Sequence, residues 1–269
     1  MTKVLFTAFS NRADAVDLAR VVGERLTSEG IVSSLHLLDS TDTPDLNAST
    51  MVVSLGGDGT FLRASRLAHE VGARVVAVNL GQLGFLLNVP PTEIVENVKG
   101  ALENEAVVER LALQISLLGS TVEEFALNEV LVERASAGHM VKVKTFINNE
   151  EYLTYSADGV MVATPTGSTG YNFSAGGPVV DASMSLMILT PIAPHFTIDR
   201  SLVVPDDKTI RLVVVDKPAM LVADGRAIQS LEPGQSIEVR QNPRPVRVVA
   251  TRSFDLAMRL RRSLREGHA

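Results

Sequence analysis

The sequence contains no cysteine and no tryptophan, and aromatic residues make up only 4% of its 269 positions. Without cysteine the chain has no disulfide framework, no thiol nucleophile and no cysteine-based zinc site. The five histidines show no metal-ligand spacing, so the sequence predicts no protein-bound metal. The lack of cysteine fits a reducing compartment.

Positive charge is scarce as well, since 25 lysines and arginines face 31 acidic residues and the net charge is -6. Such a surface does not attract nucleic acid or acidic membranes, and we expect neither as a partner. No segment approaches the roughly eighteen uninterrupted apolar residues of a membrane helix, and the N-terminal apolar stretch is too short for a signal peptide. We therefore predict a soluble, cytoplasmic protein that holds any anionic ligand by a local device.

The sequence contains two regions with different patterns of apolar and polar residues. Over the first hundred residues, apolar runs alternate with helical patterns, which is typical of a doubly wound α/β fold with a parallel sheet. After about residue 105, short strand-like runs separated by turn signals predict a mainly antiparallel β domain. We place the α/β domain at 1–105 and the β-rich domain at 106–252, and residues 253–269 return to a helical pattern.

The first candidate motif is GGDGT at 56–60, which leaves an apolar strand and opens a helix. It lacks the spacing and the lysine of a P-loop, and Leu62 breaks the dinucleotide fingerprint G-x-G-x-x-G. Backbone N–H groups in such a turn, together with a helix N-terminus, form an anion site without any cationic side chain. The alternative is that Asp58 only caps the helix and the glycines only make a turn.

The second candidate is the run TPTGSTGY at 164–171, which follows a turn at Asp158-Gly159 and a short strand. Its glycines let a ligand approach the backbone, and Tyr171 can stack on a base. Hydroxyls that can bind phosphate or ribose oxygens come from Thr164, Thr166, Ser168 and Thr169. A turn of small residues is the simple alternative. A serine hydrolase is disfavoured, because GSTG is one residue short of G-x-S-x-G.

The third candidate is the adjacent pair Asn128 and Glu129 in the strand-like LNEVLVER. Successive strand residues point to opposite faces, so both can contact one ligand only if the strand ends or bulges there. On this pattern alone, a surface strand is the simpler interpretation.

Taken in order, GGDGT, NE at 128–129, DG at 158–159, TPTGSTGY and SAGGP resemble the NAD kinase family. The segments NLGQLGFL, PIAPHFTIDRSLVVP and ADGR extend the resemblance over nearly the whole chain. GGDGT by itself is shared with lipid and sphingosine kinases, whereas TPTGSTGY followed by SAGGP is highly specific. The resemblance implies the two domains described above, with segment 253–269 packing back on the first.

The resemblance also implies an activity. A phosphoryl group passes from ATP, or in some bacterial members from inorganic polyphosphate, to the 2′-hydroxyl of the adenosine ribose of NAD, giving NADP. Because the sequence shows no dedicated metal cage, Mg²⁺ or another divalent cation is expected to arrive with the donor phosphates. Homo-oligomers, dimers or tetramers, are implied as well.

Site residues follow from the same resemblance. Asp58 matches the proposed base at the acceptor hydroxyl, with Gly59 beside it at the nucleotide, and Arg63 stands where a basic residue often reaches phosphate. Asn128 and Glu129 match the pair that hydrogen-bonds the NAD base and ribose. Asp158 matches the aspartate on the nicotinamide side. The loop around the adenine contains Thr169, Gly170, Tyr171, Asn172, Phe173 and Ser174.

Three positions depart from the family pattern. Gly170 stands where alanine is usual, which predicts a more mobile loop. His139 and Ser156 stand where lysine or arginine is frequent, and both are kept as candidate binding positions. Two other functions stay open: a lipid or sphingoid-base kinase, which leaves TPTGSTGY unexplained, and a non-catalytic NAD(P)-binding regulator.

Overall fold

The computed structural model describes residues 3–80, 89, 91–103 and 107–249. The predicted helix at 253–269 and most of the NLGQLGFL segment (79–86) lie outside the described residues. The described chain forms two compact units. One takes the described residues up to Glu109 together with 246–249, and the other runs from Arg110 to Pro245.

The first unit is built on one sheet, whose strands are numbered here along the whole chain. They are β1 (Val4–Ala8), β2 (Ser33–Leu37), β3 (Met51–Gly56), β4 (Arg74–Asn79), β5 (Val107–Arg110) and β18 (Val246–Val249). The spatial order is β2-β1-β3-β4-β18-β5, and the pairs from β2 to β18 are all parallel. The predicted parallel sheet is confirmed.

Three helices cover the sheet: α1 (Ala13–Ser28), α2 (Asp58–Val71) and α3 (Ile94–Glu103). Apolar residues of α1 and α3 share one buried cluster with alternate residues of β1, β3 and β4. The buried residues of α2 lie outside that cluster. Right-handed crossovers toward β2 and toward β4 place α1 and α2 on opposite faces, so the sheet is doubly wound as predicted. Among the described residues, no helix is long and apolar enough to cross a membrane.

The strand order also marks where a ligand can bind in this unit. From β1 the chain crosses to β2 on one side, and from β3 it crosses to β4 on the other. In open α/β sheets, ligands bind beyond the carboxyl ends of the strands at the point where the direction of crossing reverses. Here that point lies beyond β1 and β3, and β3 runs directly into Gly57 and Asp58.

The second unit contains two antiparallel sheets of six strands each. The first has the order β10-β9-β14-β17-β6-β7, with β6 (Leu113–Leu117), β7 (Glu123–Ala126), β9 (Val141–Ile147), β10 (Glu150–Ala157), β14 (Ile210–Val214) and β17 (Ser236–Gln241). The second has the order β13-β12-β11-β8-β15-β16, with β8 (Glu129–Arg134), β11 (Gly159–Ala163), β12 (Leu186–Ile192), β13 (Leu202–Pro205), β15 (Ala219–Ala223) and β16 (Arg226–Leu231). The predicted antiparallel β domain is confirmed.

The two sheets of the second unit pack face to face around one apolar core. Alternating residues point into it, such as Val141 and Val143 of β9 against Val130 and Val132 of β8. On its other face, the β8 sheet forms a smaller apolar cluster against which Ala175 and Val180 pack. That face therefore carries the segment that follows β11, including a 3₁₀ turn at Thr166–Thr169 and the short helix α4 (Tyr171–Ser174).

Candidate functional site

In the first unit, Asp58 is the first residue of α2. Gly57 occupies the N-cap position with extended backbone, and no side chain makes a cap hydrogen bond there. Asp58 therefore does not itself occupy the N-cap position. A carboxylate in the first helical turn is favoured by the helix dipole, and the turn keeps its first N–H groups at the sheet edge identified above.

The three glycines of this motif have different surroundings. A β-carbon on Gly56 would overlap with the Thr60 hydroxyl, so this glycine is needed for packing within the turn. A β-carbon on Gly57 or Gly59 would have no neighbour within 4 Å. The open space beside these two positions is what a ligand needs to approach the backbone.

The predicted phosphate-binding residue Arg63 is exposed on α2. It follows Asp58 by five residues, which places the two about 140° apart around the helix axis. The sequence did not single out Arg12, which lies after β1 and donates a 2.5 Å hydrogen bond to the Leu80 carbonyl. Arg12 also pairs with Asp14 at 2.7 Å.

In the second unit, β8 begins at Glu129, and Asn128 directly precedes it. The condition under which both side chains can serve one ligand is therefore met. Both residues are only 9% exposed. Within the part of the chain that the structure describes, Asn128 Oδ1 and Glu129 Oε2 are buried and have no hydrogen-bond partner. Buried polar atoms of this kind require a partner, and a bound ligand can supply it.

The TPTGSTGY loop packs directly on the Asn128 backbone. The Thr164 N–H donates to the Asn128 carbonyl at 2.8 Å, and the Thr164 hydroxyl donates to the Leu127 carbonyl at 2.6 Å. A β-carbon on Gly167 would overlap with the Asn128 carbonyl, so only glycine fits there. The next glycine, Gly170, has room: its β-carbon would lie 3.5 Å from Asn128 Nδ2 and 3.7 Å from Glu129 Oε2.

Two hydroxyls predicted as ligand donors are used inside the protein instead. That of Thr164 holds Leu127, and that of Ser168 exchanges hydrogen bonds with the backbone of Val180 at 3.0 and 3.1 Å. Thr166 Oγ1 is buried with no partner among the described residues. Only Thr169 of this set is partly exposed.

The other predicted residues of this loop divide by exposure. Asn172 is fully buried, and its side-chain amide bonds the Ser168 and Pro178 carbonyls and the Thr190 hydroxyl. Its hydrogen bonds thus stabilise the loop. Tyr171 is 43% exposed, and Phe173 and Ser174 are exposed as well.

Asp224, in the ADGR segment, is a residue whose role the sequence did not reveal. Its carboxylate accepts the N–H groups of Leu127, Asn128 and Glu129 at 2.8, 2.8 and 3.2 Å. The turn ahead of β8 is therefore held by a carboxylate about a hundred positions further along the chain. No local sequence signal connects the two segments.

Burial and charge change the acidity of the groups at this turn. Desolvation, followed by the charge of Asp224, raises the pKa of Glu129 from 4.5 to about 8. The pKa of Tyr171 is also raised, first by burial and then by the charges of Glu133, Asp158 and Glu129. Glu129 is therefore mostly a neutral carboxylic acid at pH 7.

A cavity of about 300 Å³ lies next to Tyr171. It is lined by Glu133, Arg134, Ala135, Ser136, Ala137, Asp158, Tyr171 and Ile192. Arg134 Nη1 lies 3.0 Å from Asp158 Oδ1. The structure therefore brings together the predicted residues Asp158 and Tyr171 and adds a cation that the sequence did not single out.

His139 and Ser156, the two positions where the family frequently has a basic residue, lie in segments that are close to each other. The Ser156 hydroxyl lies 4.0 Å from the sulfur of Met140, the residue after His139. His139 itself is exposed. Neither residue lines the 300 Å³ cavity, so Arg134 is the cation found beside Asp158.

Among the described residues, no three or more histidine, aspartate or glutamate side chains are grouped so as to hold a metal ion. In the second unit, the Asp158 carboxylate pairs with Arg134, and the Asp224 carboxylate accepts three backbone N–H groups.

Comparison with protein families identifies two matching regions. The family model for the ATP-NAD kinase N-terminal domain matches residues 14–106, and that for the ATP-NAD kinase C-terminal domain matches residues 127–251. Together they cover more than half of the chain and include every predicted site residue.

Individual relatives agree with this. An NAD kinase of Heliobacterium modesticaldum is 33% identical over 272 residues, covering 96% of this chain and 96% of its own. One from Porphyromonas gingivalis is 38% identical over 224 residues, covering 81% of this chain and 76% of its own.

Solved structures show the same fold. An NAD kinase from Archaeoglobus fulgidus in complex with ATP matches with a TM-score of 0.72 and 26% identity, covering 98% of this chain and 97% of its own. A yeast NADH kinase complexed with NADH matches with a TM-score of 0.82 and 23% identity, covering 96% of this chain and 86% of its own.

Proposed function

Because the chain belongs to the NAD kinase family, we propose that it transfers a phosphoryl group from ATP to the 2′-hydroxyl of the adenosine ribose of NAD. The product is NADP, and the reaction takes place in the cytoplasm. We assign phosphoryl transfer to the domain predicted at 1–105 with 253–269 and dinucleotide binding to the domain predicted at 106–252, of which the strand Val246–Val249 pairs with β4 of the first unit. Inorganic polyphosphate is a second candidate donor.

The observation that carries this proposal is the turn at Asn128 and Glu129. It presents buried amide and carboxyl groups with unsatisfied atoms beside a loop that contains a half-exposed tyrosine. A nucleoside needs this combination, because its base offers a face for stacking and its edge and ribose offer donors and acceptors. A lipid or sphingoid substrate needs an apolar surface instead, and the cavity beside Tyr171 is lined largely by polar residues.

We assign the roles as the family resemblance suggests. Asn128 and Glu129 bind the base and ribose, Tyr171 stacks on the adenine, and Asp158 binds the nicotinamide side. Thr169, Gly170, Phe173 and Ser174 complete the adenine loop, and Asn172 holds that loop from inside. Asp58 orients the 2′-hydroxyl and accepts its proton, while Gly59 and Arg63 lie on the donor side.

A carboxylate is an adequate base for this reaction. Phosphoryl transfer passes through a loose transition state, so the attacking hydroxyl need not lose its proton early. Asp58 can therefore take the proton late, a contribution of roughly 10²–10⁴-fold. Among the described residues, no three or more acidic or histidine side chains are grouped so as to hold a metal ion. Mg²⁺ is proposed to arrive on the donor phosphates, and no step is assigned to it.

We further propose that the protein is a homo-oligomer, a dimer or tetramer. Several apolar side chains in the second unit are exposed between residues 184 and 203, and a second copy of the chain would cover them. They are Met184, Phe196, Ile198 and Val203, with Phe196 97% exposed. Light scattering of wild type and of Phe196→Ser tests this: the variant should dissociate, and an unchanged mass would assign the contact elsewhere.

A coupled assay tests the proposed activity. The protein is incubated with ATP, Mg²⁺ and NAD, and NADP is read by an NADP-specific dehydrogenase. We expect steady NADP formation, which a non-catalytic regulator would not give. A parallel reaction with polyphosphate identifies the donor, and one with a sphingoid base in place of NAD should yield no product. Failure to form NADP with either donor would refute the proposal.

A further inference from the structure

Asp224 and Gly225 form the turn between β15 and β16, and both have positive φ angles, +47° and +71°. This conformation is that of a tight hairpin turn. It brings Asp224 against the residues that precede β8, the strand paired with β15. The Asp224 N–H donates to the Glu129 carbonyl at 3.0 Å, in addition to the three N–H groups that its carboxylate accepts.

These four hydrogen bonds fix the backbone of Asn128 and Glu129, the two residues proposed to bind the base and ribose. Leu127 donates to Oδ2, while Asn128 and Glu129 share Oδ1. An aspartate is the residue suited to this task, since both of its oxygens accept and N–H donors complement its negative charge. An asparagine would present an NH₂ group to at least one N–H donor.

The charge of the same carboxylate also acts on the side chain of Glu129. That side chain is buried, and among the described residues it has no recorded cationic partner. The charge of Asp224 raises the pKa of Glu129, and the charge of Glu129 in turn raises the pKa of Tyr171. A second negative charge beside Asp224 would be repelled in this poorly solvated place.

We propose that Asp224 is a positioning residue of the dinucleotide site, which fixes the Asn128–Glu129 turn and keeps the Glu129 carboxyl as a hydrogen-bond donor toward the ligand. The inference rests on the proposed function in taking NAD as that ligand. Asp224 itself acts only through the two residues that it holds.

The test compares Asp224→Asn with wild type at saturating ATP. Loss of hydrogen bonds to a charged acceptor should raise the KM for NAD at least about tenfold. The turnover number should change less than about threefold, because the change weakens dinucleotide binding in both ground state and transition state. A matched control is Asp216→Asn, whose Oδ1 accepts the Lys142 N–H at 2.9 Å on the exposed surface of the same unit. Its kinetics should equal those of wild type.

The pH dependence supplies a readout that a purely structural role would not move. In wild type the KM for NAD should rise as the pH passes about 8, where Glu129 loses its proton. In Asp224→Asn this rise should begin at a lower pH, because the charge that opposes ionisation is gone. In Glu129→Gln, a permanent donor, KM should not vary with pH in this range.

The test distinguishes failure of this inference from failure of the proposed function. If wild type forms no NADP, that function fails, and calorimetric titration with NAD across the same pH range still tests the inference. An Asp224→Asn variant with unchanged KM and pH profile overturns the inference. If this variant does not fold, the wild-type and Glu129→Gln profiles decide, and a wild-type KM that is flat from pH 7 to about 9 overturns it.

Discussion

The two candidate regions of this molecule are built in opposite ways. At Gly57–Asp58 the site consists mainly of backbone. The helix α2 begins there, the space beside Gly57 and Gly59 is open, and Asp58 supplies one carboxylate. At Asn128–Glu129 the site consists mainly of side chains, which are buried, and the turn is held by residues from two distant segments. The first arrangement suits a group that is held by N–H donors and changes during reaction. The second suits recognition of a rigid base and ribose.

This difference predicts where each region is vulnerable. Changes at the first region should affect turnover, whereas changes at the second should affect the affinity for NAD or the stability of the unit. Separate measurements of kcat, of KM and of the free energy of unfolding therefore test this difference.

The largest effect is expected for Asp58→Asn. The amide cannot accept the proton of the 2′-hydroxyl, so turnover should fall at least about a hundredfold while the affinity for NAD changes little. Steady-state kinetics and NAD titration measure the two quantities. The control Glu96→Gln removes an acidic group from the first turn of α3 and should have no effect. Near-normal turnover of Asp58→Asn would refute its role as base.

The next effect is on stability and comes from two glycines in one loop. Gly167→Ala places a methyl group against the Asn128 carbonyl, and such overpacking costs about 1–3 kcal/mol in the free energy of unfolding. Gly170→Ala, three residues on, meets only ordinary contacts and should change it by less than about 1 kcal/mol. Thermal or denaturant unfolding of the pair checks this. Equal destabilisation would contradict the packing described here.

A pH-dependent effect should follow from Glu129. Its pKa is about 8 in the folded protein against an ordinary 4.5, so the folded state keeps a proton that the unfolded state loses. Stability from this group is complete below pH 4.5 and falls by up to about 1.4 kcal/mol per pH unit until about pH 8. Denaturant unfolding should show wild type losing stability relative to Glu129→Gln, whose amide stays neutral, over this interval. A constant difference would mean that Glu129 is ionised throughout.

The smallest effect is expected for Tyr171→Ala. Base stacking on an aromatic ring contributes about 1–3 kcal/mol, so the KM for NAD should rise about tenfold with turnover nearly unchanged. Because Tyr171 is 43% exposed, stability should change little. Tyr171→Phe keeps the ring and should restore KM. A collapse of turnover at constant KM would show that Tyr171 does not stack on the base.

The first region was largely predictable from sequence because its signals are local. An apolar strand followed by GGDGT specifies the strand end and the helix start within a few residues, and α2 begins at Asp58, inside that motif.

The second region was predictable as motifs but not as an arrangement. The hydroxyl of Thr164 looked like a ligand donor, yet it holds Leu127, 37 residues away. Asp224 meets Asn128 across 96 residues, a contact that depends on the pairing of β15 with β8. Side-chain roles set by strand order cannot be deduced from spacing, because spacing reports only neighbours along the chain.

The most direct test of the proposed division of labour is the product formed from ATP and NAD by wild type and by Asp58→Asn, identified by phosphorus NMR. We expect NADP with its new phosphate on the 2′-oxygen for wild type, and bound but largely unphosphorylated NAD for the variant. ATP consumed by wild type without phosphate on that oxygen, or equal NADP formation by both proteins, would contradict the roles assigned to the two regions.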